Sequence, residues 1–464
     1  MTMNPPAARA AASRWFAQDD CRLEDLRACV EVETDPAAFP HAAGAEQNVL
    51  VYGPDLAVLA EEPERRRAVK AELADALEHG PGVVVLQGAF PDTAVVDRAT
   101  AAFEALIRAQ REAGAAAGDH FAAPGANDRV WGAADKLALA DPEAFAAYYA
   151  NDVIALVAEA WLGAGYQVTS QVNVVNPGGA AQTAHRDYHL GFMSAEQAAR
   201  YPSHVHLLSP ALTLQGAVAH GDMPVESGPT MYLPHSQKYA PGYLAVHRPE
   251  FAEYFDRHHV QLPLAKGDAV FFSPALFHGA GHNRSEGIRR MANLLQISSG
   301  FGRAMETVDR TAMCAALYPV LRRLRAAGAP ERELRNVVAA SAEGYPFPAD
   351  LDLDQPVGGP APETQAGLVL RCLEEDAEPA AVEQELQDMA GRRSGGGGEH
   401  DGAASAHGGR PGRGSLTGRR DRPVPGTPGT GRHGAAGRWG YTSCRARLLS
   451  LERTVNASTT SSSP

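Results

Sequence analysis

Cysteine is scarce and scattered in this 464-residue chain: Cys21, Cys29, Cys314, Cys372 and Cys444 form no C-x-x-C pair. Such a set supports neither a disulfide framework nor a structural zinc site, so reduced, mostly buried thiols are expected. No uninterrupted apolar run approaches the ~20 residues that span a bilayer. The N-terminal MTMNPPAARAAASRWFAQDD also lacks an apolar signal block. We therefore expect a cytoplasmic protein with no membrane partner. Lysine is missing altogether from residue 391 onward, where 12 Arg stand against 4 acidic residues, a charge of +8. The net charge of -13 thus leaves -21 on the first 390 residues. An acidic body argues against nucleic acid as a partner, because phosphate recognition needs a basic face.

The same boundary is a change of composition. From GRRSGGGGEHDGAASAHGGRPGRG onward Gly, Arg, Pro and Ser dominate and apolar periodicity vanishes, so residues 391–464 are expected to form a disordered tail. Upstream, EEPERRRAVKAELADALEHG has helical spacing at Val69, Leu73 and Leu77, and GVVVLQGAF follows it as a short strand. Further helices are expected over TAVVDRATAAFEALIRAQREAG and PEAFAAYYANDVIALVAEAWLG. From Tyr166 to about Ser299 short strand-like runs alternate with Gly, Pro, Asn and Asp turns. Helices return after Arg303. This pattern predicts a mainly β protein with helical flanks and a jelly-roll or related all-β core. The expected organisation is an N-terminal extension (1–60), a main domain (61–302) with a helical layer ahead of a core at about 166–299, a helical segment (303–390) and the tail.

Chemistry concentrates in TAHRDYHLGF. On a strand, residues i and i+2 share a face, so His185 and Asp187 point together while Arg186 turns away. An imidazole and a carboxylate that converge are two ligands of a 2-His-1-carboxylate facial triad, which leaves positions of iron(II) open. A kinase catalytic loop also reads His-Arg-Asp, but needs an Asn five residues after the Asp. Phe192 stands there, and no Gly-rich phosphate loop precedes it. The second histidine is supplied by KGDAVFFSPALFHGAGHNRSEGIRRMANLLQI, where His278 follows a turn and an apolar strand. Arg289, eleven residues on, opens the next strand and is placed to hold a carboxylate through two parallel hydrogen bonds. His282 is the competing ligand, His189 a candidate beside the substrate, and Tyr188, Phe192 and Met193 candidates for its mouth. Arg129, Trp131 and Lys136 are candidates to cap the pocket.

Together these motifs resemble the phytanoyl-CoA dioxygenase family of iron(II)- and 2-oxoglutarate-dependent oxygenases. The counterparts are His185-Arg186-Asp187, Gly228-Pro229 with Pro234-His235-Ser236, Lys266-Gly267-Asp268, and His278 through Arg289. The resemblance implies a double-stranded β-helix (cupin-like jelly roll), His185, Asp187 and His278 as iron ligands, and Arg289 as the 2-oxoglutarate anchor. It implies O2 as the other co-substrate and hydroxylation, or desaturation, of a small molecule. Retention of Asp187 favours hydroxylation over halogenation, in which a small residue replaces the carboxylate. Two departures stand out: Ala280 replaces a serine that helps bind 2-oxoglutarate, and Gln215 falls where tryptophan is common, as a candidate donor to the co-substrate. Two other readings stay open: a cupin metalloenzyme without 2-oxoglutarate, and a non-catalytic jelly-roll binding protein.

Overall fold

The computed structural model describes residues 14–113 and 126–394. Among the described residues ten strands form two sheets. They are β1 (Gly44–Glu46), β2 (Val49–Tyr52), β3 (Val83–Leu86), β4 (Asn127–Val130), β5 (Gln167–Val175), β6 (Thr213–Ala219), β7 (Met231–Leu233), β8 (Ala269–Phe272), β9 (Phe277–Gly279) and β10 (Arg290–Ser298). Eight of them make one mixed sheet in the order β1-β2-β3-β8-β6-β10-β5-β4; β7 and β9 pair separately. Only β2 and β3 run parallel; the other pairs are antiparallel.

Alternation along β6 and β10 divides the large sheet into two faces. Leu214 and Val218 on β6, with Met291, Leu295 and Ile297 on β10, join the main core. Helices cover that side, among them Pro63–Glu78, Thr93–Glu112 and Asp152–Leu162. Their starts are readable: Asp92 caps the Ala94 N–H and Asn151 the Ile154 N–H, and Pro63 sits where a helix has no N–H to lose. The intervening residues Gln215, Ala217 and Ala219, with Arg290, Ala292, Leu294 and Gln296, face a cavity. Tyr232 of β7 closes onto that face against Val49, Val85, Val270 and Phe272.

Three expectations change. The described residues are not mainly β, being about 46% helical. A helix at Ser203–Ala211 interrupts the stretch expected to hold only strands and turns. The first 60 residues are more than an extension, since β1 and β2 complete the edge of the large sheet. And NDRVWGAADKL, which carries the cap candidates Arg129, Trp131 and Lys136 and reads as a loop in sequence, folds instead as the strand β4 (Asn127–Val130) and a helix (Ala133–Ala140). The tail expected from residue 391 lies outside the described residues beyond Ser394, and its first residues continue a helix to Arg393. Among the described residues no helix is long and apolar enough to cross a membrane.

Candidate active site

His185 does not lie on a continuous strand. It forms an isolated bridge with His278, each backbone N–H donating to the other's carbonyl at 2.9 and 3.2 Å, and the Asp187 N–H donates to the Pro274 carbonyl. The extended stretch therefore lies antiparallel beside the segment leading into β9, which is how positions 93 apart in sequence become neighbours. The i, i+2 relation still holds: His185 Nε2 is 3.8 Å from Asp187 Oδ1, and His278 Nε2 is 3.4 Å from Asp187 Oδ2. Ligand atoms of all three residues lie within 4.8 Å of one another.

The donor set suits a metal. His185 Nδ1 lies 2.9 Å from the Thr183 carbonyl and His278 Nδ1 2.9 Å from the Leu276 carbonyl. A carbonyl only accepts, so each Nδ1 carries the proton and each Nε2 presents a lone pair to the cluster. Burial, and then the neighbouring His278, push the His185 imidazole below its ordinary value and keep it neutral. Burial pushes the Asp187 carboxyl up, but the two adjoining imidazoles and a hydrogen bond from Gln215 overcome it. The result lies well below the usual carboxylate range, so the group is ionised. Gln215 Nε2 donates to Asp187 Oδ2 at 2.5 Å, so this glutamine touches an expected iron ligand.

Two motif loops hold the ligands in place. Ser236 Oγ accepts from the Phe277 N–H at 2.7 Å and so pins the residue before His278. Arg186, between the other two ligands, is buried and donates to the Ser236 and Tyr239 carbonyls at 2.6 and 2.8 Å. Its guanidinium lies over the Phe277 and Tyr243 rings. A Cβ on Gly242 would overlap that group, so only glycine fits there. Burial lowers the Arg186 pKa to about 10, which leaves it charged. Strand alternation implies only that Arg186 turns away from the pair. What it turns into depends on residues 50 or more positions distant.

All three ligands line one cavity of about 190 Å³. Arg289 is not among its walls: its side chain is 44% exposed and bonds Glu104 at 2.9 Å on the helix-covered side. Arg290 lines the cavity instead, buried, with Nη1 lacking any partner, and burial lowers its pKa to about 10. The cause is strand alternation, since a shift of one residue exchanges faces. The signal was present: Met291, Leu295 and Ile297 are the apolar set, and Arg290 is out of phase with them. Asn283 fixes this register, its Nδ2 donating to the Val175 and Ile288 carbonyls and its Oδ1 accepting from Ser285.

Among the other candidates, Arg129, Trp131 and Phe192 line the cavity, and Lys136 bonds the Trp131 carbonyl. His189 does not reach it: positive φ at Tyr188 and His189 turns the chain, and His189 bonds Ser209. His282 is exposed, and Met193 packs in a separate core cluster. At Ala280 the backbone N–H donates to Gln182 Oε1, a wall residue the sequence had not singled out.

The family model of phytanoyl-CoA dioxygenase (PhyH) matches residues 79–291. No curated protein sequence matches the chain. Similar solved structures include the non-heme alpha-ketoglutarate-dependent epimerase SnoN from nogalamycin biosynthesis, 20% identical over 52% of this chain and 84% of that one, with a TM-score of 0.33. The carbocyclase SnoK of the same biosynthesis is 22% identical over 49% and 83%, with a TM-score of 0.36. AviO1 from Streptomyces viridochromogenes Tue57 is 17% identical over 51% and 97%, with a TM-score of 0.37. Residues 79–291, which carry the His185, Asp187 and His278 cluster, thus match the phytanoyl-CoA dioxygenase family, and the cofactor is iron(II) with 2-oxoglutarate as co-substrate.

Proposed function

We propose that the chain hydroxylates an unactivated C–H bond of a small organic substrate while 2-oxoglutarate is decarboxylated to succinate and CO2. The observation that carries this reading is one cavity holding a 2-His-1-carboxylate cluster and a buried arginine with an unpartnered N–H. Iron(II), 2-oxoglutarate and O2 supply the oxidising chemistry; the chain ligates, orients and excludes water. His185, Asp187 and His278 are the ligands. Arg290, rather than Arg289, anchors the far carboxylate of 2-oxoglutarate: its free Nη1 faces the cavity and its charge survives burial. Gln215 acts on Asp187, holding one carboxylate oxygen so that the other faces the metal. Asp187 occupies the place a halide ligand would need, which supports hydroxylation over halogenation. We also read the large sheet, closed over its cavity face by β7 and β9, as a double-stranded β-helix.

Anaerobic titration of the iron(II)-loaded protein with 2-oxoglutarate tests the reading through the visible charge-transfer band of the chelate. A saturable band is expected. Iron binding without a band would favour a cupin metalloenzyme that uses no 2-oxoglutarate, and failure to bind iron would remove the oxygenase altogether.

A further inference from the structure

Next to Asp187 the cavity wall carries three glutamines whose amide orientations are set from both ends. Arg129 Nη2 donates to Gln171 Oε1 at 2.8 Å, which leaves Gln171 Nε2 to donate, as it does to Gln296 Oε1 at 3.2 Å. Gln296 thus turns Oε1 towards Gln171 and its Nε2 donor away from it. From the opposite end, a carboxylate oxygen can only accept, so Gln215 gives Nε2 to Asp187 and turns Oε1 away. That Oε1 is buried with no partner, on a side chain 7% exposed. Gln215 and Gln296 are direct cross-strand partners of β6 and β10, and both line the cavity. Partners of this kind have Cβ atoms about 5 Å apart. The pair therefore offers one donor and one acceptor from neighbouring strands on the same cavity wall, adjoining Asp187.

We propose that this pair is the recognition site for a hydroxyl group, and that the substrate of the oxygenase is a hydroxyl-bearing molecule. The proposal rests on the oxygenase reading above. The hydroxyl oxygen accepts from Gln296 Nε2 and its proton is donated to Gln215 Oε1. An unpaired buried acceptor is unfavourable, so its ligand must donate, while Gln296 requires an acceptor. Carboxylates, ketones and ethers offer no proton to Gln215, and ammonium groups offer nothing to Gln296. A hydroxyl meets both needs in one atom. The carbon skeleton then rests on the apolar residues Val85, Val270, Phe272 and Leu262 of the same cavity. Arg129 and Gln171 act at a distance, by holding Gln296 in the required orientation.

The test uses the full chain loaded anaerobically with iron(II) and 2-oxoglutarate, with cyclohexanol and its methyl ether as probes. The ether can accept but not donate. Cyclohexanol is expected to perturb the charge-transfer band at a concentration at least about tenfold lower than the ether. Gln296→Leu is expected to abolish that preference. Equal concentrations, a preference that survives Gln296→Leu, or no perturbation by either probe (the mark of a resident water that a hydroxyl does not displace) would each overturn the proposal. Should the variant fail to fold, the comparison of alcohol with ether on the unaltered chain decides alone. Absence of the band itself sinks the oxygenase reading first, and so is told apart from a failure confined to hydroxyl recognition.

Discussion

Adjacent arginines with opposite surroundings give the sharpest residue-scale prediction. Arg290 is buried in the cavity wall with an N–H to spare, whereas Arg289 is half-exposed and already paired with Glu104. A hydrogen bond to a charged group is worth about 1.5–3 kcal/mol, or roughly 10–150-fold in binding. Arg290→Met should raise the 2-oxoglutarate concentration needed for the charge-transfer band by that factor, and Arg289→Met by less than about twofold. The reverse ranking would return the anchor to Arg289. Gln215 yields a second prediction. Its bond to Asp187 orients an expected ligand, and loss of such support costs about 10–100-fold in metal affinity. Gln215→Leu should weaken iron(II) binding, measured by competition with a chelator, within that range.

At the scale of elements, the loop between β9 and β10 decides which arginine enters the cavity. Asn283 is fully buried and ties Val175 of β5 to Ile288 and Ser285 within the loop. Asn283→Ala removes the bonds donated to the Val175 and Ile288 carbonyls, at about 0.5–1.5 kcal/mol each. The variant should lose about 1–3 kcal/mol in urea unfolding. It should also bind 2-oxoglutarate more weakly than its remaining stability explains, because the register of Arg290 is released. A variant that loses stability and keeps co-substrate affinity would mean that sheet pairing alone holds the register. Arg186 is the companion device on the other side of the site, clamping the first two ligands to the loop before the third.

Across the molecule as a whole, two buried imidazoles govern the response to acid. Burial pushes His220, held between Thr100 and Tyr148, down to about 3. Burial, reinforced by Lys238, pushes His235 down to about 4. In the unfolded chain both titrate near 6.5, so below that pH the unfolded state binds protons that the native state refuses. Their contribution is complete above pH 6.5 and is lost as pH falls through the native values. For His220 alone the slope is about 1.4 kcal/mol per pH unit between those limits. The melting temperature should therefore fall steadily from pH 6.5 towards 4, and a His220→Gln variant, though less stable at neutrality, should show a shallower fall. An unchanged slope would assign the acid sensitivity to other groups. The described residues close a core of their own. A chain ending at Ser394, the last of them, should melt within about 2 °C of the full protein and keep the charge-transfer band.

What the sequence determined by itself was local. The cluster of His185, Asp187 and His278 was legible because spacing and flanking glycines are properties of adjacent residues. So were the helices Pro63–Glu78 and Thr93–Glu112 and the strands β3, β5, β6, β8 and β10, because apolar periodicity is written in the order of the side chains. Tertiary structure decided everything that depends on which face meets which. Strand β4 is too short to announce itself and exists because β5 offers it a free edge. Strands β1 and β2 join the sheet through partners that the composition of the N-terminus does not reveal. The choice of Arg290 over Arg289 rests on a register held by Asn283, and the role of Gln215 on its placement against Asp187. Spacing fixes which residues lie near each other along the chain. Long-range pairing, set by burial and hydrogen bonding across the sheet, fixes what each side chain touches.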